Sequence, residues 1–122
     1  MNRYQSEDEI QNVVRGFERC EMNADDFNHP EHLVVAVSYL HTMDRDAALD
    51  RMRAGLLRFL DHHGGDTGKY SETVTVFWID KIAKKLNELG PNLSLVEKCN
   101  TVVAADFADE RGSGSKFADE QL

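Results

Sequence analysis

From Pro30 to Met43 the chain is apolar on nearly every side of a helical wheel. His32, Leu33, Ala36, Val37, Leu40 and Met43 fall on one side, and Val34, Val35 and Ser38 on the other. A helix of this kind cannot lie on a surface with one face in water. It needs neighbours all round, either other helices of the same chain or a second copy. The expected fold is therefore all-α, a single-domain bundle gathered around this segment.

The rest of the chain supplies the neighbours. Ser6 and Glu9 form a capping box ahead of Ile10, Val13, Val14, Phe17 and Cys20, which recur at helical spacing; this predicts a helix over about 7–21. Asn23 to Asn28 reads as a polar loop. Pro30 suits a first helical turn, with Asn28 or His29 before it in the capping position. Asp44 or Asp46 can cap a third helix whose face carries Ala48, Leu49, Met52, Leu56, Phe59, Leu60 and His63, and Gly64-Gly65 ends it. Asp66 to Lys69 reads as a turn. Residues 73–79 are β-branched enough for a strand. The period of Thr75, Trp78, Ile79, Ile82, Leu86 and Leu89 nevertheless runs unbroken into a plainly helical stretch, so a fourth helix is predicted, stopped at Gly90-Pro91. Ser94 and Glu97 open a fifth helix bearing Val96, Cys99, Val102 and Val103. The expectation is about five antiparallel helices over residues 1–108, then a flexible C-terminal tail at 109–122. Gly112-Ser113-Gly114-Ser115 has linker chemistry, and the twice-occurring Phe-Ala-Asp-Glu (107–110 and 117–120) is read as chance rather than a repeat. Deleting the last fifteen residues is expected to leave the fold intact.

Composition narrows the function. Among 122 residues, 14 basic against 22 acidic side chains give a net charge of −8. Phosphate backbones and anionic membrane surfaces are repelled, so no nucleic acid and no membrane is expected as a partner. No stretch approaches the roughly 20 apolar residues of a membrane span. The opening residues lack the apolar run of a secretory signal. Two cysteines, Cys20 and Cys99, do not make a disulfide framework and read as core thiols. A cytoplasmic location is expected.

Alternating helix directions would bring the start of the second helix, the end of the third and the start of the fourth to one pole of the bundle. That pole would hold His29, His32, His62, His63, Tyr70, Ser71, Glu72 and Thr73. The fifth histidine, His41, is expected outside and solvated. His29 and His32 are three apart and can share one helical face. They could hold a divalent metal, with Glu72 completing the set, although no other metal motif accompanies them. Two helix N-termini beside imidazoles suit a small anionic ligand. Tyr70 and Glu72 could donate or accept a proton. The bland alternative is that histidines at a helix C-terminus satisfy its dipole, and that Glu72 merely suits a first turn. Gly-rich phosphate loops, nucleophile elbows and His-Glu-x-x-His are absent, so no reaction is named.

Three blocks, Phe27-Asn28-His29-Pro30-Glu31-His32-Leu33, then His62-His63-Gly64, then Tyr70-Ser71-Glu72-Thr73-Val74-Thr75, resemble the pattern of a family of small bacterial helical proteins. There the blocks read Phe-x-His-x-x-His-Leu, His-Gly and Tyr-His-Glu-Thr-x-Thr. The likeness spans roughly residues 10 to 105. It implies a helical domain with a polar pocket lined by His29, His32, His63, Tyr70, Glu72 and Thr73. Ser71 stands where the family has a histidine, which removes one implied ligand or base. The shortened C-terminal end resembles products of mobile gene cassettes.

Two functions are thus expected as alternatives. One is small-molecule binding, with or without catalysis, at the histidine-rich pole. The other is an interaction or assembly module without chemistry. In either case a homodimer is expected, paired through Val34, Val35 and Ser38 or through exposed parts of the fourth and fifth helices such as Phe77.

Overall fold

The computed structural model describes residues 4–64 and 70–109. The turn expected at 66–69, most of the expected tail and the second Phe-Ala-Asp-Glu lie outside the described residues. Five helices follow in order: α1 (Glu7–Glu18), α2 (His29–Thr42), α3 (Arg45–His62), α4 (Glu72–Leu89) and α5 (Leu95–Asp109), with a short 3-10 turn at Ala24–Asp26. No strand occurs among the described residues, so the β-branched run at 73–79 is helical. The continuous apolar period outweighs β-propensity there, because Thr75, Trp78, Ile79 and Ile82 all find burial on one helical face.

α2 is the axis of the bundle. It packs against all four other helices. Leu33, Val34, Val35 and Val37 are fully buried, and Ala36, Ser38 and Tyr39 nearly so. This corrects one expectation. The Val34, Val35 and Ser38 side of α2, one of the two surfaces offered for a second copy, is covered by helices of the same chain and is not free to form an interface.

The ends of the helices follow local chemistry. Ser6 accepts from the Glu9 amide while Glu9 accepts from the Ser6 amide, closing the expected capping box. Asp44 caps α3 by accepting from the Ala47 amide at 2.9 Å. The Ser94–Glu97 box forms likewise at the head of α5. α1 stops at Glu18, not near residue 21. Cys20 takes a left-handed conformation (φ 57°), and the Cys20 and Glu21 amides donate back to the Phe17 and Gly16 carbonyls at 3.2 and 2.9 Å. This is a Schellman termination with cysteine in the place that usually favours glycine. The buried Cys20 thiol, which donates to the Arg58 carbonyl at 3.8 Å, helps hold it there. Gly64 ends α3 at φ 72°, as expected.

Polar groups between helices fix their register. Glu18 of α1 accepts from Tyr39 of α2 (2.6 Å) and from Arg51 of α3 (3.0 Å) on the same oxygen. Arg45 joins α3 to Asp80 of α4 at 2.7 Å. Asn100 of α5 exchanges two 2.9 Å hydrogen bonds with the backbone of Tyr4, tying the N-terminal segment to the last helix.

Gly55 of α3 lies against the Phe17 ring of α1. A methyl group there would meet the Phe17 ring at 2.5 and 2.7 Å, and Phe17 is fully buried. Gly55→Ala gains about 1 kcal/mol of helix propensity but forces a well-packed ring to move, at about 1–3 kcal/mol. The expected result is a lower urea midpoint, with Phe17→Leu restoring part of the loss in the double variant.

Candidate functional site

Asn28 is the N-cap of α2, and its amide donates to Glu31 at 2.9 Å. Phe27, just before the cap, packs its ring 4.2 Å from the ring of His32, four residues into the helix. This is a hydrophobic staple laid over a capping box, and it accounts for the placement of His32. The imidazole is fully buried. Burial first, and the neighbouring His29 second, lower its pKa from the ordinary 6.5 to about 3, so it is neutral at physiological pH. His29 is also buried, its ring meeting Trp78 of α4 at 4.9 Å in an edge arrangement.

His63 caps the end of α3 and is exposed. Its ring lies 4.4 Å from Phe59, with His62 at 5.0 Å. Ring contacts run from His32 through Phe27 and Phe59 to His63, the middle pair being 5.0 Å apart. Of the residues expected at one pole, this chain of rings links His32 and His63. His32 stands at its buried end and His63 at its exposed end, so these two imidazoles do not share a solvent-facing surface.

Tyr70 and Glu72 do come together. The Tyr70 hydroxyl donates to Glu72 at 2.8 Å, and Arg53 of α3 grips the same carboxylate with Nε at 2.8 Å and with Nη2. The Arg53 hydrogen bonds, then that of Tyr70, lower the Glu72 pKa to about 2. It is an ionised strut between α3 and α4 rather than a proton donor at neutral pH. Thr73 is exposed on the first turn of α4. The buried threonine nearby is Thr75, whose hydroxyl donates to the Ser71 carbonyl at 2.9 Å. Among the described residues no three His, Cys, Asp or Glu side chains are grouped to hold a metal ion. His41 is exposed as expected, and Cys20 and Cys99 are buried free thiols, the Cys99 thiol pushed up to about 12 by desolvation.

A concave site lies elsewhere. Between α4 and α5 is a cleft of about 300 Å³, at the low end of ordinary ligand sites. Its buried lining is Leu33, Trp78, Ile82 and Val102, and its rim carries Lys81, Lys84, Lys85 and Glu88. His29 touches it from behind, through Trp78. The Lys81 ammonium lies 4.7 Å from the centre of the Trp78 ring. Arg45, Arg51 and Arg53 are each paired with a carboxylate. Lys81, Lys84 and Lys85, by contrast, form no ion pair among the described residues. Three lysines face one glutamate in a chain whose net charge is −8.

Periodicity alone does not single out this run of lysines. The signal for more was present: Trp78, Lys81, Ile82 and Lys85 recur at helical spacing, so basic and apolar groups share an edge of one helix. What no periodicity reveals is that α5 stands opposite and turns that edge into a cleft.

Comparison with protein-family models, with curated proteins and with solved structures yields no match. No helix among the described residues is long and apolar enough to cross a membrane.

Proposed function

We propose that this chain is a binding protein for a small anionic ligand, held in the α4–α5 cleft. The observation that carries this reading is the trio of lysines at one cleft that form no ion pair among the described residues. Cations left without carboxylate partners in an acidic protein concentrate anions locally, because field lines focus into a cleft with low-dielectric walls. The lysine ammonium groups stand at the mouth of the cleft and set the orientation of a bound anion. Of the residues implied by the family resemblance, His29 contributes by backing Trp78. Tyr70 and Glu72 belong to the α3–α4 contact, Thr73 is exposed, and His32 belongs to the start of α2. The role is binding, with no reaction assigned, and a reducing cytoplasm suits the two free thiols.

The test is a thermal-shift screen of small inorganic and organic anions against the wild type and Lys84→Glu/Lys85→Glu. A ligand at a hundred times its dissociation constant stabilises the fold by about 2.7 kcal/mol. The expected result is at least one anion that raises the midpoint of the wild type and leaves the charge-reversed variant unmoved. A variant that keeps every shift removes the cleft from consideration.

A second reading, a homodimer, rests on Phe77. Among the described residues it is the large apolar side chain that stands more than half exposed (54%), with Lys81 5.8 Å from its ring centre. Sedimentation equilibrium of the wild type against Phe77→Ser tests it: a dimer that dissociates in the variant supports the reading, and a monomeric wild type ends it.

A further inference from the structure

A second hollow lies where α2 and α4 end and α5 begins, and among the described residues it shares no side chain with the lysine cleft. Its volume is about 240 Å³, and Leu40, Leu86, Asn87, Gly90, Pro91 and Lys98 line it. Leu40 and Leu86 are half-buried and Pro91 is exposed, so each keeps surface that an incoming group can touch. Lys98 Nζ lies 3.2 Å from Nδ1 of His41, which stands on the last turn of α2. A lysine ammonium can only donate, so the imidazole accepts through Nδ1 and carries its own proton on Nε2.

We propose that Lys98 is an acyl-acceptor site, at which a neutral thioester passes a short acyl chain to the lysine nitrogen with His41 as the base. Three features of the hollow lead there. The first is the pairing of nucleophile and base. An amine attacks a carbonyl carbon only as the free base, and its nitrogen must shed a further proton as the adduct collapses. An imidazole within hydrogen-bond reach of that nitrogen can take it. Among the described residues, Lys98 is the lysine with a histidine nitrogen at Nζ.

The second feature is the floor. Leu40, Leu86 and Pro91 offer apolar contact to a few methylene groups. A volume of about 240 Å³ falls below the roughly 300–1,000 Å³ of ordinary ligand sites, so the acyl chain it can seat is short. The third is charge. α2 and α4 bring the negative ends of two helix dipoles to the hollow, against the single positive end of α5. Lys98 is the one cation in the described lining, and it gives up its charge in order to react. A neutral acyl donor is therefore preferred to an anionic one.

The step balances. The Lys98 ammonium first gives one proton to water. The free amine attacks the thioester carbonyl carbon, a C–N bond forms, and the surplus proton on nitrogen passes to His41 Nδ1. The C–S bond then breaks, its electron pair leaves on sulfur, and the thiolate takes the proton from His41. The products are an amide at Lys98 and a free thiol.

The test treats the full chain with the neutral thioester S-butyryl-N-acetylcysteamine or with the anionic donor butyryl phosphate. Acylation at each lysine is followed over time by peptide mass spectrometry. Lys81 and Lys84 of the same molecules are internal references. Both are exposed while Lys98 is half-buried, so exposure alone would make Lys98 the slower. The expected result with the thioester is a rate at Lys98 at least about tenfold above the references. The ratio should be smaller with butyryl phosphate, and smaller with an octanoyl than with a butyryl thioester. His41→Gln keeps a hydrogen-bonding side chain but takes up no proton. In this variant, checked for native helicity by circular dichroism, Lys98 should fall to the rate of the references while theirs stay unchanged. A wild-type Lys98 no faster than Lys81 and Lys84 overturns the site. An undiminished rate in His41→Gln overturns the role of the base, and an equal or larger ratio with butyryl phosphate overturns the neutral donor. An octanoyl ratio that matches or exceeds the butyryl ratio overturns the short chain.

Discussion

Acidification from pH 6.5 downward destabilises this protein before its carboxylates begin to titrate, and His32 is the cause. The imidazole is fully buried, and its pKa in the fold is about 3 against 6.5 in an unfolded chain. The native state therefore holds it neutral, while the unfolded state takes up a proton as pH falls below 6.5. Stability from this group is complete above pH 6.5 and declines toward pH 3, because protonation favours the state with the higher pKa. At about 1.4 kcal/mol per pKa unit, the loss amounts to about 2–3 kcal/mol by pH 4.5 and on the order of 4–5 kcal/mol by pH 3. That is a large share of the roughly 5–15 kcal/mol that holds a domain together. Urea midpoints measured at intervals from pH 7.5 to 4.5 should fall steadily in the wild type. His32→Leu, which keeps an apolar side chain against Phe27, should flatten this part of the profile. Identical slopes in the two proteins would mean that His32 does not govern acid stability.

Phe27→Ala should be the most damaging single truncation outside the helices, costing about 3–5 kcal/mol. Phe27 lies in the connection before α2, yet it is fully buried. Its ring stacks on Phe17 at 4.7 Å and meets Phe59 at 5.0 Å and His32 at 4.2 Å. It therefore joins α1, α2 and α3 at one point and sets the angle at which the chain enters the central helix. Removing it would leave a cavity bounded by three rings that cannot all collapse into it. Asp26→Ala, one residue away and exposed, should change stability by less than about 0.5 kcal/mol. Denaturant unfolding of both variants checks the contrast, and a mild effect at Phe27 would show that the aromatic cluster repacks.

The helical architecture was legible from local signals. Capping boxes at Ser6 and Ser94, the period from Thr75 to Leu89 and the all-round apolarity of residues 30–43 each specify helix. The last of these also specifies which helix is central. The loop before α2 was harder to read. Phe27 looked like part of a polar connection because its partners, Phe17 and Phe59, are distant in sequence. The pair His29 and His32 was legible as a shared helical face but not as buried. A histidine at helical spacing reads the same whether its face meets water or a ring, and here Phe27 and Trp78 supplied the rings. Glu72 looked like a proton donor in sequence and is a strut in space, because Arg53 reaches it from another helix.

The sequence by itself determined the helices, their caps and the need to surround α2, since each depends on residues within a few turns of one another. Only the tertiary structure decided which groups face one another: Arg53 against Glu72, His32 beneath Phe27, and the α4 lysines at a cleft shared with Val102 and Ala105 of α5. Those relations depend on how helices cross and on which side chains meet over distances of tens of residues. Hydrophobic periodicity places a residue on a face but carries no information about what stands opposite it.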